Sequence, residues 1–347
     1  MKLDYQKIIK RGLLFLGVVI LGSFIYSINF SNLPSILERF TSKSMIYLFS
    51  IAILLTFVNL LLKSYRWKVL AQNMTEKIVS LKFSFLSIMG GIAAASFIPG
   101  RVEFAKPLLL KSELDIPLTK SFSALIIERA LDLLTLLIFL IPSLFLVSFS
   151  KIINPINIYI FVIIFFGLSC SVIIYPNFYK NISLTIINII PLPQKIKEKL
   201  MTFASHLFES YATLKSKNAI TLVLISLIAN GLEILRFHFI LTMLGINTTL
   251  AATCFIFVVA IIVGVLSTIP GGIGVTEVSA AALIAHFDAN SQSSLIKTSI
   301  LVDRIVSYYI LILLGSVVLV FQQYFFKKPL STLTSQINND QKKSEES

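Results

Sequence analysis

Charged residues are missing from long stretches of the chain, among them Gly12 to Leu37, Ser44 to Leu62 and Ile152 to Tyr179. A helix through any of them, rising about 1.5 Å per residue, crosses a hydrocarbon core of roughly 30 Å. Following the apolar runs to their polar edges predicts full spans at 12–30, 46–66, 121–147, 157–175, 219–244 and 301–322. Two further apolar segments, 83–98 and 250–287, are interrupted by Pro99-Gly100 and by Pro270-Gly271-Gly272, with Gly274 close behind. Proline and glycine break helices, and backbone groups freed at membrane depth are tolerated only against protein or a watery cavity. Both segments are therefore expected to be re-entrant hairpins. The expected fold class is an all-α polytopic membrane protein with about six full spans and two such hairpins, its integral domain covering 1–326.

Two polar regions interrupt this pattern. In 195–217, Ile196, Leu200, Phe203, Leu207, Tyr211 and Leu214 recur at steps of three and four between flanking lysines. That spacing suits either an amphipathic helix on the cytoplasmic leaflet or a plain connecting helix. Residues 327–347, rich in Ser, Asn, Gln and Lys, are expected to form a disordered tail.

Composition agrees with the pattern: 56% of residues are hydrophobic and 14% charged, which excludes an ordinary soluble core. The net charge of +13 would suggest nucleic acid in a soluble protein, but here the basic residues sit in short loops beside spans. With the amino end inside and both hairpins returning to their side of entry, 23 of the 30 lysines and arginines fall in cytoplasmic segments. Arg39, Lys43, Lys151 and Lys297 fall outside, and Arg129, Arg236 and Arg304 within spans. This bias orients the protein with both ends in the cytoplasm, and it favours anionic headgroups over nucleic acid as partners. Lys2, Lys7, Lys10 and Arg11 precede the first apolar run, and no convincing cleavage site follows it, so an uncleaved first helix is expected. Cys170 and Cys254 lie in apolar stretches and are expected to pack.

One pattern occurs twice. Arg66-Trp67 is followed after 33 residues by Pro99 in S-F-I-P-G-R, and after 30 more by Arg129 in I-I-E-R. Arg236-Phe237 is followed after 34 by Pro270 in S-T-I-P-G-G, and after another 34 by Arg304 in L-V-D-R. The predicted topology runs the two units in opposite directions, repeat A over about 46–150 and repeat B over about 219–322. Inverted repeats with broken helices are a common plan of transporters, with substrate sites between the halves.

The charged residues of these units are the candidate substrate site: Arg66, Glu103, Glu128, Arg129, Asp132, Glu233, Arg236, Glu277, Asp303 and Arg304. An unpaired charge at the bilayer centre costs at least ~2.5 kcal/mol, so each should pair or face water. Glu128 and Asp132 stand four apart on one helical face. One reading is an interfacial ion pair that pins the helix at headgroup level. The other has Arg129 holding a phosphate while a carboxylate orients it or takes up a proton. Glu233 with Arg236, and Asp303 with Arg304, repeat the theme. His238 beside them is read as a packing residue before a proton carrier. The turns at Pro99, Gly100 and Arg101 and at Pro270, Gly271, Gly272 and Gly274 either bend the hairpins or offer backbone N–H groups to an anion. Lys106 adds charge at the first turn, and Glu103 and Glu277 are placed either to cap the helix starts that follow or to meet a cationic headgroup. Trp67 is read as an aromatic-belt residue. No nucleotide loop, zinc motif or Ser-His-Asp set is visible, so no cofactor, metal or catalytic residue is expected.

Taken together, R-W after the second span, P-G-R, E-R-A-L-D, I-P-G-G-I-G-V-T-E and the final D-R resemble the lysylphosphatidylglycerol synthase transmembrane family, also called flippase-like domain proteins, over about residues 10 to 325. The resemblance implies a bacterial or archaeal cytoplasmic (inner) membrane protein related to the domain that moves aminoacylated phosphatidylglycerol between leaflets. Other members are linked to polyprenyl-linked sugars or hopanoid lipids, so the substrate does not carry over. The family's usual P-G-R-x-G-E lacks its second glycine at Pro99-Gly100-Arg101-Val102-Glu103, which leaves the position of the first turn's acid open. Without the soluble aminoacyl transferase domain of the bifunctional synthases, lipid aminoacylation is not expected and the chain is read as a non-enzyme. The leading expectation is translocation of an anionic phospholipid or a lipid-linked glycan on a polyprenyl phosphate. The alternatives are a non-transporting partner of a lipid or glycan synthase and a membrane-embedded prenyl-phosphate transferase with Glu128 or Asp132 as base.

Overall fold

The computed structural model describes residues 43–75, 77–96, 103–147, 175–191, 193–212 and 216–321, with five isolated residues besides. The predicted spans 12–30 and 157–175, the tail, and Pro99, Gly100 and Arg101 of the first turn lie outside the described residues.

Among the described residues all regular structure is helical. Four helices form a first half: α1 (Lys43–Thr75), α2 (Leu81–Ala95), α3 (Ala105–Leu114) and α4 (Leu118–Leu146). Two connecting helices follow, α5 (Pro176–Ile189) and α6 (Gln194–Ala212). The second half repeats the order long, short, turn, short, long: α7 (Ser216–Met243), α8 (Leu250–Leu266), a 3₁₀ turn (Pro270–Gly272), α9 (Val275–Phe287), and a last helix built from α10 (Ser293–Arg304), a π turn (Ile305–Tyr309) and α11 (Ile310–Val320).

Local chemistry sets the ends. Ser80 and Thr249 accept the backbone N–H groups of Phe83 and Ala252, capping α2 and α8 at corresponding places. Gly245, at φ 83°, ends α7 as Ile246 N–H donates to Leu241 O, the six-to-one bond of a helix stop. The second Pro-Gly turn needs glycine on two counts. Gly271, Gly272 and Gly274 hold φ of 64°, 61° and 84°, and a Cβ on Gly271 would lie 2.4 Å from the Tyr308 hydroxyl.

Among the described residues three helices are long and apolar enough to cross a membrane: Ile46–Asn73, Asn218–Met243 and Ser293–Val320. They correspond to three predicted spans, and α4 occupies the place of a fourth. The first runs well past the predicted edge at 66, because nothing in K-S-Y-R-W-K-V-L breaks a helix, and this draws Arg66 and Trp67 into the protein. Each long helix leaves a row of large apolar side chains uncovered, among them Leu54, Phe57 and Leu61 on α1, Leu224 and Ile228 on α7, and Leu313, Leu314 and Val317 on α11. In water such a girdle would aggregate, whereas in lipid it is the solvent-facing surface. This is a helical membrane protein. At 15 residues α2 is shorter than a spanning helix, and α8, at 17, is at the lower limit for one. In the predicted linker 195–217, α6 rests on α4 and α5, and residues 213–215 lie outside the described residues.

The halves interlock reciprocally. α1 and α7 run along each other as the most extensive helix pair, α11 of the second half packs on α2 of the first, and α4 of the first packs on α8 of the second. One apolar core gathers Trp67, Leu70, Leu109, Leu110 and Leu125, and the other gathers Leu137, Leu144, Phe237, Ile256 and Ile300. Small residues set the spacing of α2 and α11: a Cβ on Gly315 would fall 2.0 Å from the Met89 carbonyl oxygen, and one on Gly90 would meet Leu319 at 2.9 Å. Gly231 on α7 has room, its nearest neighbour lying 3.4 Å away at Phe139. Gly315→Ala should therefore lower stability by about 1–3 kcal/mol through a main-chain clash, whereas Gly231→Ala should be neutral or slightly stabilising. Thermal unfolding of the two variants in detergent checks this, and equal midpoints would remove the close-approach argument.

Candidate functional site

Arg66, brought inside by the extension of α1, meets two acids on α4. Its Nη1 lies 2.5 Å from Asp132 Oδ1 and 2.8 Å from Ser226 Oγ of α7, and its Nη2 lies 3.0 Å from Glu128 Oε1. Arg66 and Glu128 are buried almost completely. Glu128 and Asp132 share a face of α4 one turn apart, and that spacing lets one guanidinium take both.

Lys106 of α3 completes the cluster from the other side. Fully buried, it donates to Glu128 Oε2, lies 2.6 Å from Glu103 Oε2, and stands over the Trp67 ring at 4.7 Å from its centroid. Gly91 of α2 makes room for it, since a Cβ there would meet Lys106 Cγ at 2.9 Å. Arg129 takes what remains: Glu103 at 3.1 Å, Asp132 at 3.4 Å and Glu128 at 3.6 Å. Among the described residues three cations face three acids, whose charges balance.

A smaller version stands in the second half. Arg236 Nε lies 3.0 Å from Asp303 Oδ1, and Arg304 Nε lies 3.2 Å from Glu277 Oε1. Glu277 also accepts the Gly274 N–H at 2.7 Å through Oε2, so it caps α9 as expected, and the Tyr309 hydroxyl at 3.3 Å through Oε1. The pairing scheme is the same in both halves: an arginine of the first long helix (Arg66, Arg236) meets an aspartate of the last (Asp132, Asp303). An arginine of that last helix (Arg129, Arg304) meets the glutamate after the Pro-Gly turn (Glu103, Glu277). The π turn at Ile305–Tyr309 follows Arg304 directly and sets Tyr308 against Gly271 and 3.2 Å from Ser96, the last described residue before the first turn.

Contacts between the halves are of another kind. Asn59 donates to Ala229 O at 2.6 Å, Asn230 to Thr135 Oγ1 at 2.5 Å, and Lys63 pairs with Glu233 at 2.6 Å. Lys63–Glu233 is the one ion pair between halves among the described residues, and its side chains are 26% and 20% exposed.

Several expectations change. Arg66, expected at a loop and open to substrate, is sealed among carboxylates. Glu233 pairs with Lys63 and Arg236 with Asp303, neither with its neighbour in sequence. Trp67 is a core residue, not a belt residue, because α1 continues beyond it. His238 is a packed residue, its Nδ1 3.0 Å from Thr253 Oγ1. The cavity beside Asp303 and Arg304, bounded by Phe237, Phe257 and Ile300, is small and mostly apolar, far short of a headgroup. Lys63 and Ser226 were not foreseen in these roles; the only sequence signal was that Lys63 and Glu233 are 170 residues apart, the same offset as Arg66 and Arg236.

The family model described as "Lysylphosphatidylglycerol synthase TM region" matches residues 12–315. The chain belongs to this family. The match takes in both halves and every charged pair just described. Two relatives, each named "UPF0104 membrane protein", are similar. That of Pyrococcus horikoshii is 27% identical over 293 residues, covering 77% of this chain and 84% of its own length. That of Methanothermobacter thermautotrophicus is 35% identical over 108 residues, a match spanning 31% of each chain. Membership is consistent with a lipid-related membrane function.

Removing Arg66 leaves Glu128 and Asp132 without their shared partner. Arg66→Ala should cost on the order of 3–5 kcal/mol, the usual penalty for one missing member of a buried pair. Lys63→Ala, at a partly exposed pair, should cost no more than about 1 kcal/mol. Monodisperse yield and thermal midpoint of the two variants compare them directly.

Proposed function

We propose that this protein translocates an anionic phospholipid or a polyprenyl-phosphate-linked glycan between the leaflets of the cytoplasmic membrane, the headgroup passing between two inverted halves. The observation that carries this reading is the division of charge. Each half neutralises its own buried ions, while the halves are joined by single hydrogen bonds and one partly exposed ion pair. Such halves can part while each deeply buried ion keeps its opposite charge, Arg66 giving up only its bond to Ser226. Parting them exposes arginines and carboxylates along the seam, and a phosphate crossing hydrocarbon needs that matching charge.

In this reading the chain has six spans and two re-entrant hairpins, both ends lie in the cytoplasm, and the halves are related by an axis in the membrane plane. Contacts between α1 and α7 support such an axis, since Asn59 meets Ala229, Arg66 meets Ser226 and Asn73 meets Asn218, partners that fall along α7 as they rise along α1, as antiparallel helices require. The excess of lysine and arginine in the segments assigned to the cytoplasm supports the orientation. The close packing of both clusters favours a second reading, a non-transporting partner of a lipid or glycan synthase, in which the ion pairs only hold the fold. A prenyl-phosphate transferase is the weaker rival.

Reconstitution into liposomes separates these. Headgroup movement of a fluorescent phospholipid, or of a prenyl phosphate, should accelerate with folded protein and change rate in Lys63→Ala and Glu233→Ala. No movement of either substrate would sink the translocator reading. The partner reading predicts that Arg129→Gln, at a half-exposed position, leaves cellular function intact.

A further inference from the structure

The four buried or half-buried arginines are not equivalent, and the difference lies in who holds their acids. Arg66 takes the closest contacts with Glu128 and Asp132, at 3.0 and 2.5 Å. Lys106 takes the other oxygen of Glu128 and the nearer oxygen of Glu103. Each carboxylate that Arg129 reaches is thus already engaged by a closer cation, and Arg129's own contacts, at 3.1 to 3.6 Å, are the longest in the cluster. Its side chain is 40% exposed and its Nε has no partner. In the second half Arg304 is 11% exposed and its acid, Glu277, has no other cation among the described residues; Arg236 is buried with Asp303.

We propose that the first half alone makes the phosphate contact, at Arg129, and that Lys106 is the positioning residue that keeps Arg129 available for it. This deepens the translocator reading and rests on it for the lipid. The charge count explains the role of Lys106. With it, the cluster is neutral and Glu128 and Glu103 are occupied; without it, the cluster carries a net negative charge. Arg129 would then be drawn onto Glu103 and Glu128, and an approaching anion would meet uncompensated carboxylates. The position of Lys106 over Trp67 supplies a signal, because Trp67 is the single tryptophan of the chain and reports movement of the ammonium above it.

The test titrates the full-length protein in detergent with dihexanoyl phosphatidate and, separately, with inorganic phosphate. Calorimetry measures affinity, and Trp67 fluorescence provides a second readout. Wild-type protein should bind phosphatidate saturably with a change in Trp67 emission. Arg129→Gln should weaken binding about tenfold or more, the worth of a charge-assisted hydrogen bond. Lys106→Met, in its monodisperse folded fraction, should weaken it as much, and Lys106→Arg should restore it to within about threefold. Tight binding of phosphatidate alone assigns a lipid headgroup, and equal binding of inorganic phosphate assigns the same contact to free phosphate. Folded Lys106→Met that binds like wild type, or wild-type protein that binds neither probe, overturns the proposal. Lipid movement that persists in Arg129→Gln would overturn it while leaving the translocator reading intact. The expected binding without any lipid movement would do the reverse.

Discussion

A charge placed in a low-dielectric interior must find its opposite, and in this protein that requirement organises everything else. Arg66 cannot stand inside the helix bundle without Glu128 and Asp132, nor Arg236 without Asp303. Each of these pairs joins the first long helix of a half to the last. The pairs therefore fix how those helices approach, and the short helices and Pro-Gly turns are packed around them. Such pairs bring little net stability compared with apolar side chains of the same volume. Their value is directional, since an arginine one turn out of register would be left without an acceptor.

Lipid provides no hydrophobic drive between helices, so contact must come from close packing and hydrogen bonds. The glycines of α2 and α11 let backbones touch where those helices meet across the two halves. Asn59, Asn230 and Ser96 supply single bonds across the same seam. Ion pairing is thus concentrated inside each half, while the halves meet through extensive helix packing and mostly neutral hydrogen bonds. The π turn after Arg304 carries Tyr308 and Tyr309, setting Tyr308 beside Gly271 and Ser96 and Tyr309 beside Glu277.

The halves are alike in order and unlike in detail. The first half has a third cation, Lys106, held against Trp67, and a third acid, Glu128; at the corresponding place the second half has only two pairs and a small apolar cavity. An even set of pairs closes on itself. A crowded set, in which three acids are shared among three cations at unequal distances, leaves one cation loosely held.

The amino-acid sequence by itself determined that the protein lies in a membrane, because uninterrupted apolar stretches have no other stable solvent. It also determined the twofold order of arginine, Pro-Gly turn and arginine, because spacing along a chain is visible without a fold. The capping role of Glu277 was legible too, since a glutamate three residues after Gly274 reaches back to its N–H by local geometry alone. Tertiary structure decided the partners. Arg66 and Asp132 are 66 residues apart, Arg236 and Asp303 67, and Lys63 and Glu233 170, separations at which nothing in the local sequence selects one acid over another. It also decided that α1 runs on through Trp67 into the core, since helix length past a polar edge depends on what the helix packs against. The role of Lys106 was decided there as well: a lysine beside a turn reads as a loop charge until a glycine on α2, a tryptophan on α1 and a glutamate on α4 are seen to close around it.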